Sequence, residues 1–315
     1  MKKIVVIGEI LVEIMANTTG EGFLEPIALT GPYPSGAPAI FIDQVARFGQ
    51  PCAIISAVGD DDFGRVNTRR LAADGVDISA VAVDTDRPTG SAFVRYRKDG
   101  SRDFVFNIRH SACGSLQSTE ASDRILAEAD HFHIMGSSLS SPEFVALNIQ
   151  AAQGVKARGG TVSFDPNLRK ELLDTANMRD AMAQILAMTD LFLPSGDELT
   201  LLTRASEPVA AVQELLDLGV DAIVHKLGAR GVQYHDREES RFAPAFVVEE
   251  VDPTGAGDCF GGAFVALWLH GAPLDEALTL AVAAGAMAVT KRGPMEGAAD
   301  LQTLRHFSAT QKRNL

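Results

Sequence analysis

Short β-branched runs alternate with longer stretches of helical period along most of the chain. Ile4–Ile7, Ala53–Val58, His131–Met135, Thr161–Phe164, Leu191–Leu193 and Ala222–His225 read as buried strands. Between them, Ile40–Phe48 places Phe41, Val45 and Phe48 on one helical face, with Gly49 as its stop. Glu143–Arg158 is likewise helical and ends at Gly159-Gly160. Such alternation predicts an α/β fold: a mostly parallel central sheet with helices on both faces. Two regions break the rhythm, residues 11–34 and 88–112. In the second, Ser91–Arg97 and Arg102–Asn107 flank Lys98-Asp99-Gly100-Ser101, a hairpin signal. Both regions are expected to form a small antiparallel β appendage over the main sheet.

Ligands of open α/β sheets sit at the carboxyl ends of the parallel strands. The polar and glycine residues just after the strands therefore become the candidates. They are Gly8-Glu9, Gly59-Asp60, Gly136-Ser137, Asp165-Pro166-Asn167, Pro194-Ser195-Gly196 and Lys226-Leu227-Gly228.

Composition narrows the function without naming it. A length of 315 residues allows two domains, yet sheets of this kind often run as one unit, and no low-complexity linker or internal repeat divides the chain. Hydrophobic residues at 46% and charged ones at 22% are ordinary for a globular core. A net charge of -13 argues against nucleic acid or an anionic membrane as partner, because both reward clustered Lys and Arg. Cys52, Cys113 and Cys259 are an odd count without CxxC spacing, so neither a disulfide framework nor a zinc site is expected. Glu9 and Glu13 interrupt the apolar start, which reads as a first strand and not as a signal peptide. A soluble, cytoplasmic protein is the expectation. His131 and His133 share a strand face, but no third ligand stands at suitable spacing for a metal.

The segment Asp252-Pro253-Thr254-Gly255-Ala256-Gly257-Asp258 carries the strongest chemical signal. Phe246–Val251 before it reads as a strand. After it, Phe260, Ala263, Phe264, Leu267 and Trp268 form one helical face that stops at Gly271. A glycine turn running into a helix start presents free backbone N–H groups and a positive dipole end to an anion. No GKS or GKT follows, so this is not a Walker loop. Phe260 occupies the third glycine position of GxGxxG, so it is not a dinucleotide fingerprint either. A capping aspartate accounts for Asp258 alone, but not for two acids bracketing Pro-Thr-Gly-Ala-Gly.

This segment resembles the C-terminal signature of the ribokinase-like, or PfkB, carbohydrate kinases, and the resemblance covers nearly the whole chain. It implies a single ribokinase-like three-layer domain over residues 1–315, with lid segments 11–34 and 88–112. It also implies ATP and Mg2+ as cofactors. Asp258 would act as base toward a sugar hydroxyl, while the amides of Gly255, Ala256 and Gly257 hold the transferring phosphoryl group. Asp252 resembles the family residue near a monovalent-cation site, which implies potassium. Lys226, Gly228 and Gly231 resemble the nucleotide-binding turn. Ser195 and Glu198 stand where relatives carry Asn-x-x-Glu, with Ser195 in place of asparagine. Ser35-Gly36-Ala37-Pro38-Ala39-Ile40 departs from Gly-Gly-Ala-x-x-Asn, and Val282 replaces an asparagine near the adenine.

For the acceptor, the resemblance points to Glu13, Gly36, Arg109, Asp165, Asn167 and Arg169. Asn107–Ala112 is similar to the Arg-x-x-Ser-Ala element of 2-keto-3-deoxygluconate kinases, one residue shorter. Asp165–Arg169 is similar to a segment of fructokinases and of those kinases. Pro34–Asp43 and Lys291–Gly297 resemble bacterial tagatose kinases. These segments imply a ketohexose, D-tagatose first, with 2-keto-3-deoxygluconate and fructose as alternatives. A non-catalytic sugar or nucleotide sensor and a nucleoside kinase are the rivals. A homodimer through the lid is the expected partner arrangement.

Overall fold

The structure is a computed structural model that describes residues 1–167 and 178–314. In chain order its first strands are β1 (Ile4–Ile7), β2 (Leu11–Ala16), β3 (Leu29–Ser35), β4 (Cys52–Gly59), β5 (Val81–Asp84), β6 (Gly90–Tyr96) and β7 (Arg102–Asn107). The remaining strands are β8 (His131–Met135), β9 (Thr161–Asp165), β10 (Leu191–Phe192), β11 (Ala222–Lys226), β12 (Gly231–His235) and β13 (Ser240–Pro244). Among the described residues, nine of these form one sheet in the order β13-β12-β11-β10-β9-β8-β1-β4-β5. Pairing is parallel from β11 through to β5, and antiparallel from β11 to β13.

Helices cover both faces. The helices Ala37–Arg47, Asp62–Asp74, Ala256–Leu269, Leu274–Ala288 and Leu301–Thr310 supply one core layer with Phe41, Leu71, Phe264, Leu280 and Leu304. The helices Glu120–Ala127, Pro142–Ala157, Met178–Leu186 and Pro208–Asp217 supply the other with Ile125, Val155, Ile185 and Leu215. Phe41, Phe132, Phe164, Phe192 and Phe264 are almost fully buried, each stabilising the fold by about 1.5–3 kcal/mol relative to exposure. Helix starts are set locally. Asp61 and Ser141 accept from the amides of Gly64 and Phe144, while Gly36 and Gly255 begin the two helices that face the sheet's carboxyl end.

The lid is a separate sheet in the order β3-β2-β6-β7. Its two halves are antiparallel, but they join through a parallel β2–β6 pair, so the lid is not antiparallel throughout. Gly100 turns the β6–β7 hairpin at φ 83°, with Arg97 and Ser101 bonded across it at 2.8 Å.

One predicted element is absent. Phe246–Val251 forms no strand beyond a single bridge from Phe246 to Arg313. Val247 donates to the Lys312 carbonyl, and Val251 and Asp252 both donate to the Val289 carbonyl. These partners belong to two separate segments, near Lys312 and at Val289, so no ladder forms, and Val247 and Val251 stay exposed. Strands β12 and β13 fill the sheet edge in its place.

Candidate active site

A cleft of about 1370 Å³ opens between the lid and the carboxyl end of the main sheet. Of the residues expected to act, Glu13, Gly36, Arg109, Asp165, Asn167, Ser195, Glu198, Lys226, Gly255, Gly257 and Asp258 all line it. Arg169 lies outside the described residues.

Gly255 takes φ 83°, and a Cβ there would stand 2.4 Å from the Pro294 carbonyl, so this turn admits only glycine. The turn leads into the helix Ala256–Leu269, whose first turn carries Asp258. The Ala256 amide donates to the Pro253 carbonyl at 3.4 Å, while Gly255 and Gly257 line the cleft at the helix's positive dipole end. Gly257 borders Lys226: a Cβ on it would be 3.6 Å from the lysine Nζ.

Asp258 is buried, and its carboxyl is pushed up to about 8. Burial is the largest cause, and the negative charge of Asp165 adds to it against the pull of Lys226. Such a carboxyl is a stronger base than an ordinary one and is matched to proton transfer near neutrality.

Asp165 and Lys226 form a buried ion pair through Oδ2 and Nζ. Sheet parity explains it. Asp165 ends β9 and Lys226 ends β11, and both point to the face that carries Leu193 and Val224. Burial raises the Asp165 carboxyl against the opposing pull of Lys226. Asp165 gives one oxygen to Lys226, whose ammonium stays in the cleft lining close to Gly257. Asp165 Oδ1 has no partner and remains for a ligand or water.

Gly228 and Gly231 lie past β11, outside the cleft lining. Gly231 takes φ 114° where a Cβ would meet the Ala243 carbonyl at 2.1 Å, so the β12–β13 pairing demands it independently of any ligand. Ser195 and Glu198 are tied to each other: the Ser195 amide donates to Glu198 Oε2 at 2.6 Å.

Asp252 is also buried. Its Oδ1 accepts from Tyr96 Oη at 2.5 Å and from the Thr254 amide at 3.0 Å, and its Oδ2 accepts from the Gly293 amide at 2.9 Å. It therefore fixes the glycine turn and latches it to the lid. A cation beside it would share oxygens that already accept. Glu13 is buried next to it, raised to about 7 by burial and then by the charge of Asp252, and its Oε1 has no partner. That orphaned oxygen suits a sugar hydroxyl, which would supply the missing donor.

The strand-end candidate Glu9 and two residues outside the expected set, Tyr96 and Arg102, stand in the cleft or against it. Glu9 accepts from Ser137 Oγ and Ser138 Oγ, each at 2.7 Å, and its place just after β1 was the signal for it. Tyr96 and Arg102 reach Asp252 and Thr254 from the lid hairpin. Nothing local marks them, since the contacts span more than 150 residues of sequence. Ile40, expected to lack a polar contact, is buried against the glycine turn, with Cγ2 3.3 Å from where a Gly255 Cβ would be. Val282 is buried in the helix Leu274–Ala288. His131 and His133 both bond Ser163 Oγ at 2.7 Å inside the core, where burial lowers the pKa of each.

Residues 1–300 match the family described as pfkB family carbohydrate kinase. The chain belongs to the PfkB family of carbohydrate kinases. It is 34% identical over 300 residues to 2-dehydro-3-deoxygluconokinase of Thermoproteus tenax, covering 94% of this chain and 91% of that one. It is 33% identical over 301 residues to a fructokinase of Klebsiella pneumoniae, covering 93% and 95%. Among solved structures, a protein from E. coli provisionally designated Ribokinase II, in complex with ATP and Mg2+, superposes with a TM-score of 0.93. That protein is 51% identical, and the match covers 98% of this chain and 99% of the other. A fructokinase double mutant from Vibrio cholerae, with fructose, ADP and potassium bound, superposes with a TM-score of 0.83 at 25% identity, covering 98% of each chain. The fold is thus ribokinase-like, and this PfkB member is a sugar phosphotransferase. Among the described residues, no helix is long and apolar enough to cross a membrane.

Proposed function

We propose that this kinase transfers the γ-phosphoryl group of MgATP to a terminal hydroxyl of a six-carbon 2-keto sugar, with Asp258 as the base. The observation that carries the reading is the buried Asp258 carboxyl, set one turn into a glycine-led helix, in the cleft that holds Glu13, Arg109 and Asn167. Asp258 takes the hydroxyl proton as the sugar oxygen attacks phosphorus, and the bond to ADP breaks. The amides of Gly255, Ala256 and Gly257 meet the charge on the phosphoryl oxygens. Magnesium bound with ATP would neutralise phosphate charge, with Glu198 nearest in kind to a supporting ligand. The lid would exclude water from the cleft during transfer.

Fructose is the first acceptor in this reading, supported by the fructokinase relatives. 2-keto-3-deoxygluconate is the second, favoured by a specific observation: Arg87 and Arg109 both line the cleft, and a carboxylate would take a forked arginine contact. The resemblance to tagatose kinases gains no support from the relatives named above, so D-tagatose is a test substrate and not the leading one. A nucleotide lying along the Gly228–Gly231 turn, potassium beside Asp252, a dimer through the lid and a cytoplasmic location belong to the same proposal.

A coupled ADP-release screen across fructose, 2-keto-3-deoxygluconate, tagatose, psicose, ribose and adenosine tests it. Turnover is expected with a 2-keto sugar. Turnover with ribose or adenosine alone would refute the acceptor class, and tight nucleotide binding without any turnover would favour a sensor.

A further inference from the structure

The lid brings a cation to the phosphoryl end of the cleft. Arg102 opens β7 and lines the cleft with Thr254 and Gly255, and its Nη1 donates to Thr254 Oγ1 at 3.3 Å. The guanidinium lies 5.4 Å from the centroid of the Phe104 ring, and no carboxylate stands within ion-pair distance of it among the described residues. Lys226, the other cation at this end, is already matched by Asp165. The cleft is also lined by Glu9, Glu13 and Asp258, so an incoming phosphate meets several acids, with Arg102 near the glycine turn as a positive group that no carboxylate matches among the described residues.

Phosphoryl transfer spreads charge over three equatorial oxygens, and the amides of one helix start can face only part of that set. A guanidinium offers five donors in a planar fork, of which the Thr254 contact uses one. Arg102 is exposed and rides on the lid, so its head can shift by a few ångströms without disturbing the core.

We propose that Arg102 is a catalytic residue that donates from the lid to the transferring phosphoryl group, across from the Gly255–Gly257 amides. This rests on the phosphotransferase reading of Asp258. Lid closure then completes the catalytic site as well as excluding water, and an open lid would leave the donor phosphate intact.

The test compares Arg102→Ala and Arg102→Lys with the wild type by steady-state kinetics, MgATP titration and binding of ADP with aluminium fluoride in the presence of sugar. For Arg102→Ala, kcat is expected to fall at least about 100-fold, the scale of losing one preorganised donor, with the sugar KM and the MgATP Kd within about threefold. Arg102→Lys recovers part of kcat. The ADP–aluminium fluoride complex, a mimic of the phosphoryl group in flight, binds wild type and is lost in Arg102→Ala. A kcat within threefold of wild type in Arg102→Ala overturns the proposal. So does a fall in kcat matched by equal weakening of MgATP and of the aluminium fluoride complex, because that pattern marks uniform binding or lid damage. A wild type that releases no ADP with any sugar would instead overturn the reading of Asp258.

Discussion

Asp258→Asn should separate what the carboxylate does for catalysis from what it does to stability. Loss of a general base lowers turnover by at least about 100-fold. Stability should move the other way. Burial and the neighbouring Asp165 charge raise this carboxyl from an ordinary 3.8 to about 8. Between those values the folded chain holds a proton that the unfolded chain has released. Stability contributed at this site therefore falls as pH rises from about 3.8 to about 8 and is level outside that window. Asparagine has nearly the shape of the protonated acid and undergoes no such change. The gap between variant and wild type opens by at most ~1.4 kcal/mol per pH unit. From pH 5 to pH 8 the ceiling is about 4 kcal/mol, and relaxation with water entry should reduce it to about 2 kcal/mol. Urea unfolding without nucleotide, run at pH 5, 6.5 and 8, reads the gap directly. A gap that stays constant across that range refutes burial as the cause of the raised carboxyl. Turnover within threefold of wild type refutes the base.

Two further outcomes follow from the ion pair and from the acceptor side. In Asp165→Asn, removal of the charge that raises Asp258 leaves Lys226 to pull it down. The acidic limb of the kcat/KM profile should move to lower pH, while stability drops by ~3–5 kcal/mol because a buried ammonium loses its partner. An unmoved limb with lowered stability would show that Asp165 acts on packing alone. Arg109→Ala should raise the sugar KM about tenfold and leave the MgATP KM within twofold, and an unchanged sugar KM removes Arg109 from the acceptor site.

The parallel core was legible because its strands are short, apolar and bounded by glycine or polar residues. His131–Met135 and Ile4–Ile7 coincide with β8 and β1 for that reason. The helix after Gly257 was equally plain, since Phe260, Phe264 and Leu267 repeat at helical spacing before Gly271. Phe246–Val251 misled because β-branched residues suit an extended chain whether or not a neighbour accepts its hydrogen bonds. Strands β12 and β13 leave a weak signal, because the glycines before them suit a ligand turn as well as the close approach of the Ala243 carbonyl to Gly231.

The chemistry at the cleft depends on facts that no local pattern encodes. Asp165 and Lys226 meet because β9, β10 and β11 run parallel side by side, which puts both residues on one face at the same end of the sheet, Lys226 two residues beyond the level of Asp165. A different strand order would leave Lys226 as an exposed cation and Asp165 as a buried carboxyl without its partner. The lid acts by the same logic. Tyr96 on β6 and Arg102 on β7 reach the Asp252–Thr254 turn only when the hairpin is docked. The docked lid thus places a hydroxyl on the carboxylate behind the glycine turn and a guanidinium in front of it. If Asp258 supplies the base and the lid supplies Arg102, chemistry is confined to the closed cleft, where the sugar hydroxyl and not water is the acceptor.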